Sequence, residues 1–316
     1  MTTPIHGAPA LRVEALAKRY GDTEAVRKVS FAVDAGEVFG LLGPNGAGKT
    51  STIAMIATQR KPTAGDARVF GHSITRDVAA VRRLVGVVPQ EVALYPELTA
   101  RENLQFFGRM YHVEAATLGR RTEELLELAG LQGRADDRVG TYSGGMKRRL
   151  NLAVGLVHDP RLILLDEPTV GVDPQSRERL FALVEHLRER GVAVLYTTHY
   201  LEEAERLCDR LAIMDNGRVI ATGTLRALLE EAGCAEMVHL HGVRADEDLE
   251  TLRTAPGVVR LEANAAGVTL FVRDTTRILG FLQPFLETRP TARLAIAPAS
   301  LETLFLQLTG KELRDR

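Results

Sequence analysis

Cysteine is scarce in this chain. Only Cys208 and Cys234 occur in 316 residues, and they form no C-x-x-C pair. A disulfide framework is therefore not what holds the protein together, and two partly buried thiols in a reducing compartment are expected. Charge of one sign is also missing: 40 basic residues face 41 acidic ones, leaving a formal net charge of −1. No global basic field draws in nucleic acid or an anionic membrane, so a nucleic-acid partner is not expected. No apolar run reaches the length a membrane-crossing helix needs. The first residues, Met1-Thr2-Thr3-Pro4-Ile5-His6, show no basic stretch followed by an apolar core, so they do not read as a signal peptide. If the protein works at a membrane, the expectation is that another chain carries it there. Internal repeats and low-complexity segments are absent as well.

What remains is an ordinary globular composition, long enough for one large domain or two modest ones. The first half alternates short β-rich runs with helical patterns, which predicts an α/β fold. Val38–Leu42, Val85–Val88, Leu162–Leu165 and Val192–Tyr196 read as strands. From about 91 to 160 the pattern turns helical, as in Arg101–Tyr111 and Arg121–Leu128, and predicts a helical insertion. Ser176–Arg190 is amphipathic, with Leu180, Phe181, Val184 and Leu187 on one stripe. Asn216-Gly217 between apolar runs predicts a hairpin within Arg210–Ile220. Beyond a short helix, Leu225–Ala232, the order strand, helix, strand, strand, helix, strand suggests a small ferredoxin-like α+β unit, with Pro284 interrupting its second helix. The boundary is expected near 225/226. A last helix, Ser300–Leu308, carries the stripe Leu301, Leu304, Phe305 and Leu308, expected to pack as core.

Gly43-Pro44-Asn45-Gly46-Ala47-Gly48-Lys49-Thr50, followed by Ser51, lies directly after the first of those strands and opens a predicted helix. It fits G-x-x-x-x-G-K-[ST], the Walker A pattern. Glycines let backbone N–H groups converge on phosphate oxygens. The helix points its positive end at the same anion. Lys49 supplies charge for the β- and γ-phosphates, and the Thr50 hydroxyl can bind Mg²⁺.

Arg161 to Glu167 is an apolar strand ending in two carboxylates. Such a strand tolerates an acidic pair only at its exposed end. Asp166 there can hold Mg²⁺, and Glu167 can face an attacking water as base or orienter.

Tyr142-Ser143-Gly144-Gly145-Met146-Lys147-Arg148-Arg149-Leu150, placed between these two features, resembles the signature loop of the ATP-binding cassette (ABC) ATPases. Other positions match that family in order, over about Leu11 to Gly223. Tyr20 resembles the aromatic that stacks on adenine. Gln90 resembles the glutamine that touches Mg²⁺ and water and senses a membrane partner. Asp173 resembles the D-loop aspartate, and His199 the switch histidine near the γ-phosphate. Tyr142 and Met146 stand where Leu and Gln are commonest, and Val170-Gly171-Val172 where Ser-Ala-Leu is. Both variants, and the extra C-terminal unit, look like those of bacterial drug and lipid exporters of the daunorubicin-resistance type.

The resemblance implies a P-loop ABC ATPase with a RecA-like core, an antiparallel β subdomain and a helical subdomain. ATP and Mg²⁺ would be held by Tyr20, Gly43, Asn45 to Ser51, Gln90 and Asp166, with Glu167 and His199 catalytic. Ser143, Gly144, Gly145 and Asp173 would complete the pocket of a second copy in trans. It further implies a homodimer, an integral membrane permease as partner, and a place on the cytoplasmic face of the membrane. Export of a substrate is the leading expectation, with import or a non-transport ABC function as alternatives. A P-loop kinase or nucleotide switch is disfavoured by the Ser143 loop. The basic run Lys147-Arg148-Arg149 is expected to help hold the nucleotide indirectly, and Arg120-Arg121 to be solvated helix surface. His239 and His241 share one strand face, a weak candidate for a metal.

Overall fold

Alternation of apolar residues, broken by glycine and proline, sets the elements of this chain in a computed structural model. It describes residues 8–231, 236–243, 245–264, 267–272, 275–289, 291–298 and 300–309. Two compact units separate, Met1–Thr222 and Gly223–Arg316.

The first unit opens with a hairpin of β1 (Leu11–Tyr20) and β2 (Thr23–Val33). It turns at Gly21, whose positive φ of 55° suits a residue without Cβ. Strand β3 (Val38–Leu42) leads through the glycine-rich loop into α1 (Lys49–Ile56). Strands β4 (Ala64–Val69) and β5 (His72–Ser73) then extend the hairpin into an antiparallel sheet of order β2-β1-β4-β5. Helix α2 (Val78–Leu84) and β6 (Val85–Val88) precede the helical stretch, which holds α3 (Ala100–Met110), α4 (Ala115–Leu128) and α5 (Gly144–Gly155). The chain then alternates: β7 (Leu162–Asp166), α6 (Pro174–Glu189), β8 (Ala193–Thr198), α7 (Leu201–Leu207), β9 (Arg210–Asp215) and β10 (Arg218–Gly223).

A second sheet takes the order β10-β9-β3-β8-β7-β6, with the pairs from β9 to β6 parallel. Every residue of β3 and β7 is buried, as expected where layers cover both faces of a parallel sheet. The pleat of β7 divides its side chains between two cores. Leu162 and Leu164 join Phe39, Leu41 and Met55 on the side of the antiparallel sheet. Ile163 and Leu165 join Leu104, Leu125, Leu150 and Val184 on the side of the helices. Each such leucine contributes roughly 1.5–3 kcal/mol by burial.

Local chemistry fixes the helices. Thr99 accepts from the Glu102 N–H at 3.1 Å while Glu102 reaches back to the Thr99 N–H at 2.8 Å, a capping box that starts α3. Arg149, itself buried, donates to the carbonyls of Ala129 and Gly130 and so closes the end of α4. The expected pairing of Arg120 and Arg121 as surface charges holds only for Arg120. Arg121 is one residue on, about 100° round the helix. It turns inward to the Leu156 carbonyl (3.0 Å) and to Asp159 (3.1 Å). The hairpin at Asn216-Gly217 is present, both residues having positive φ. Cys208 is half-buried, and burial pushes its thiol pKa well up. Cys234 lies outside the described residues.

The second unit begins with α8 (Leu225–Glu231). It continues as β11 (Glu236–His241), α9 (Ala245–Arg253), β12 (Val258–Asn264), β13 (Gly267–Val272), α10 (Thr275–Glu287), β14 (Arg293–Pro298) and α11 (Leu301–Thr309). The sheet order is β12-β13-β11-β14, with antiparallel pairs. This is the ferredoxin-like arrangement. Helix α10 runs through Pro284 rather than ending there. Leu301, Leu304 and Phe305 of α11 are buried, whereas Leu308 is exposed. His239 bonds Thr269 at 3.0 Å and stacks near His241. Among the described residues no group of three or more His, Cys, Asp or Glu could hold a metal.

Candidate functional site

The expected phosphate loop sits between β3 and α1, at the C-terminal end of a parallel strand. Gly46 and Gly48 have φ of 81° and 102°, conformations that side chains resist. A Cβ on Gly48 would lie 2.6 Å from the Ala25 carbonyl oxygen, and one on Gly43 2.3 Å from that of Met214. At Gly43 and Gly48 the loop therefore leaves no room for a side chain. It is fixed from outside by the β9–β10 turn. Gly217 N–H donates to the Ala47 carbonyl at 3.1 Å, and the Gly217 carbonyl accepts from Arg27 N–H at 2.7 Å. Asn45 and Thr50 are exposed on this loop, Ala47 and Lys49 are buried, and Ser51 lies in the first turn of α1.

Lys49 Nζ folds back over the loop, donating to the carbonyls of Gly43 (2.7 Å) and Pro44 (3.2 Å). It also lies 3.0 Å from Glu167 Oε1. Glu167 Oε2 accepts from Gln90 Nε2 at 3.4 Å, and His199 Nδ1 lies 3.2 Å from the same oxygen. Lys49 at the start of α1, Gln90 just past β6 and His199 just past β8 thus meet one carboxylate. Glu167 has φ +46°, a left-handed conformation that costs a non-glycine residue about 1 kcal/mol or more. Its N–H is held by the carbonyl (3.2 Å) and hydroxyl (3.0 Å) of Thr197.

Asp166 is the last residue of β7 and is buried. Thr197 Oγ1 donates to its Oδ1 at 2.7 Å and Thr50 Oγ1 at 3.3 Å. Burial lifts the carboxyl above its ordinary range, and the two hydroxyl bonds oppose that rise. A carboxylate and a hydroxyl that close together form a hard-oxygen pair suited to Mg²⁺, which takes one or two such ligands and fills the rest with phosphate and water. The donor set fits the ion.

Tyr20 ends β1 with its ring exposed and Lys18 Nζ 5.1 Å from the ring centre, a free face for a flat base. Ser143 caps α5 by accepting from Met146 N–H at 3.3 Å. Asp173 caps α6 by accepting from Ser176 N–H at 2.9 Å, and the Ser176 hydroxyl first, then this N–H, lower its pKa. The two caps are neighbours: a Cβ on Gly145 would lie 2.0 Å from Ser176 Oγ, and one on Gly144 3.9 Å from the Gly171 carbonyl. The described hydrogen bonds of Ser143 stay within α5, and the neighbours of Gly144 and Gly145 are in this D-loop segment of the same chain rather than in its phosphate loop. The predicted residues thus form two clusters, one around Lys49 and Glu167, one around Ser143 and Asp173.

Several residues that shape the site carry no motif of their own. Thr197 was overlooked, although the parallel register that pairs Asp166 with Thr197 puts them side by side. Arg148 bonds backbone rather than a side chain of the site. It donates to the Gln90 carbonyl and, at 3.2 Å, to the Val170 carbonyl. Glu203, buried behind His199, accepts from Tyr196 OH (3.0 Å) and Thr198 Oγ1 (2.9 Å).

Comparison with known proteins identifies the family. Residues 26–170 match the ABC transporter family. A Nod factor export ATP-binding protein I of Ralstonia nicotianae is 44% identical, the match spanning 98% of this chain and 97% of that one. The linearmycin resistance ATP-binding protein of Bacillus subtilis is 40% identical over 96% of this chain and 100% of its own. Among solved structures, an ATP-binding subunit of an ABC transporter shares 33% identity with a TM-score of 0.66, over 71% of this chain and 93% of that one. A dimeric cassette in a post-hydrolysis state with ADP and Pi shares 26% with a TM-score of 0.62, over 68% and 98%. With relatives named for export along nearly its whole length and an ATPase cassette for its fold, the chain belongs to the ABC transporter family as an ATP-binding, ATP-hydrolysing subunit.

Proposed function

We propose that two copies of this chain close on two ATP molecules and that their opening and closing drives export through a separate membrane permease. The observation that carries this reading is the meeting of Lys49, Gln90 and His199 on Glu167, next to the Thr50–Asp166 pair. None of the described contacts joins the Ser143–Asp173 cluster to it, and in this reading that cluster completes the pocket of the other copy. That separation suits a composite site, and a solved relative is dimeric.

In this mechanism Tyr20 stacks on adenine, and the N–H groups of Gly46 to Ser51 hold the phosphates. Mg²⁺, held by Thr50 and Asp166 with Gln90 alongside, adds positive charge at the β- and γ-phosphate oxygens when bound. Lys49 moves onto the γ-phosphate and releases Glu167. The freed carboxylate orients the attacking water and takes its proton. His199 donates to the γ-phosphate as charge develops there. Ser143 and the N–H of Gly145 from the second copy clamp the same group, so its departure loosens the dimer.

Permease contact falls on the groove beside Gln90, between the core and the helical insertion. A cavity of about 320 Å³ is lined there by Ala57, Arg82, Pro89, Phe107, Tyr111 and Asn151. Tyr95, Phe106 and Met110 expose apolar surface close by. Among the described residues no helix is long and apolar enough to cross a membrane. The chain then works at the cytoplasmic face, docked on its partner, and export is the direction that its relatives' names support.

Complementation tests the composite site. Lys49→Ala disables the cradle of one chain and Ser143→Arg the clamp of the other, and in a mixed dimer both changes fall in the same pocket. Mixing the two inactive chains restores turnover, because the heterodimer keeps one intact pocket. No recovery on mixing, with both chains folded, sinks the reading.

A further inference from the structure

We propose that Arg148 is a positioning residue through which the pocket engaged by Ser143 on one side of the dimer sets the alignment of Glu167 on the other. This rests on the composite-site reading above. Ser143 caps α5, and Arg148 lies five residues on in the same rigid helix, roughly 7–8 Å along its axis. Its guanidinium spans two loops. One N–H group donates to the Gln90 carbonyl, and another reaches the Val170 carbonyl at 3.2 Å.

Both loops lead to Glu167. The Gln90 side chain donates to Glu167 Oε2 at 3.4 Å, and the Val170 N–H returns to the Glu167 carbonyl at 3.4 Å. One side chain therefore grips the segment on either side of the carboxylate. The partners are neutral carbonyls, and burial lowers the Arg148 pKa. Holding a cation half out of water without an acid costs free energy that packing alone does not require. The planar fork of arginine sends separate N–H groups to the two loops in fixed directions; lysine would have to meet both from a single nitrogen.

When Ser143 closes on the γ-phosphate of the opposite pocket, α5 moves as a rod and carries Arg148 with it. Gln90 and Val170 follow, and Glu167 is brought into line. One pocket's occupancy then raises turnover in the other, which appears as cooperativity in ATP.

The test uses the full chain with Arg148→Ala and Arg148→Lys, assayed for ATP turnover against ATP concentration. ATP-driven dimerisation is followed by size-exclusion chromatography in the Glu167→Gln background. Expected for Arg148→Ala is a fall in kcat of about tenfold. Its Hill coefficient drops from above one to one, while the dimerisation midpoint in ATP stays unchanged. Arg148→Lys, which keeps charge and stem, loses cooperativity with a smaller fall in kcat, and carries the test if the alanine variant does not fold. An unchanged Hill coefficient overturns the proposal, as does a wild-type coefficient of one. So does a lost kcat accompanied by lost dimerisation. Failure of Glu167→Gln alone to dimerise strikes the composite-site reading instead, so the two failures are told apart.

Discussion

Lys49 Nζ stands 3.0 Å from Glu167 Oε1, both side chains almost wholly buried. The residue expected to hold the γ-phosphate thus neutralises the residue expected to activate water. A γ-phosphate arriving at Lys49 competes directly with this ion pair. Catalytic readiness and substrate binding are thereby linked through one contact.

Removing one partner of a buried pair leaves the other uncompensated. Lys49→Ala should therefore cost about 3 kcal/mol of stability in urea unfolding, besides abolishing nucleotide binding. The double variant Lys49→Ala, Glu167→Gln should be more stable than the sum of the single changes by about 1–3 kcal/mol. Strict additivity would show that the pair contributes nothing.

Glu167→Gln should lower kcat by at least about 100-fold, the usual span for a missing general base. Its ATP affinity should rise, by about tenfold for the release of one competing contact near 1.4 kcal/mol. Equilibrium binding of a fluorescent ATP analogue and single-turnover hydrolysis measure the two effects. Turnover near wild type removes Glu167 from the chemistry.

Asp166 gives a pH dependence of definite sign. Its folded-state pKa is raised above the ordinary 3.8, chiefly by burial. The contribution it makes to stability is fully present below that ordinary value and is lost as pH rises through the raised one. At neutral pH the ionised group is a net cost. Asp166→Asn keeps an oxygen to accept from Thr197. It should be more stable than wild type at pH 7, equal to it below pH 4, and inactive with Mg²⁺. Thermal unfolding across pH decides: equal destabilisation at every pH contradicts the assignment.

Gly145 leaves no room for a side chain. A Cβ there would lie 2.0 Å from Ser176 Oγ and 2.5 Å from Ser176 Cβ. Gly145→Ala should push the start of α6 aside and cut turnover by about tenfold or more, with ATP affinity of the phosphate loop preserved. Adding Ser176→Gly removes both obstructing atoms and should restore most of the rate. No recovery in the double variant means that Gly145 acts through something other than this contact.

Residues whose chemistry demands a type were readable from the chain alone. Gly46, Gly48, Lys49, Thr50, Asp166 and Glu167 stand out because a phosphate and its ion accept few alternatives. The strand candidates, the Asn216-Gly217 turn and the βαββαβ order of the second unit follow from local periodicity and turn chemistry. Thr197 and Arg148 did not stand out, because their partners come from parallel register and from loops far away in sequence. Arg121 was misjudged for a related reason: its neighbour on the chain faces water, and only the helix rotation decides which of the two does.

Gly217, made long after the glycine-rich loop, holds Ala47 with one backbone group and β2 with the other. The cradle is thus finished only once residue 217 has been made. A nascent chain that has released every glycine of the motif, but still hides the β9–β10 turn inside the ribosome, carries the letters of an ATP site without its shape. Nucleotide cannot guide the early stages of this protein's birth; it can only reward their completion.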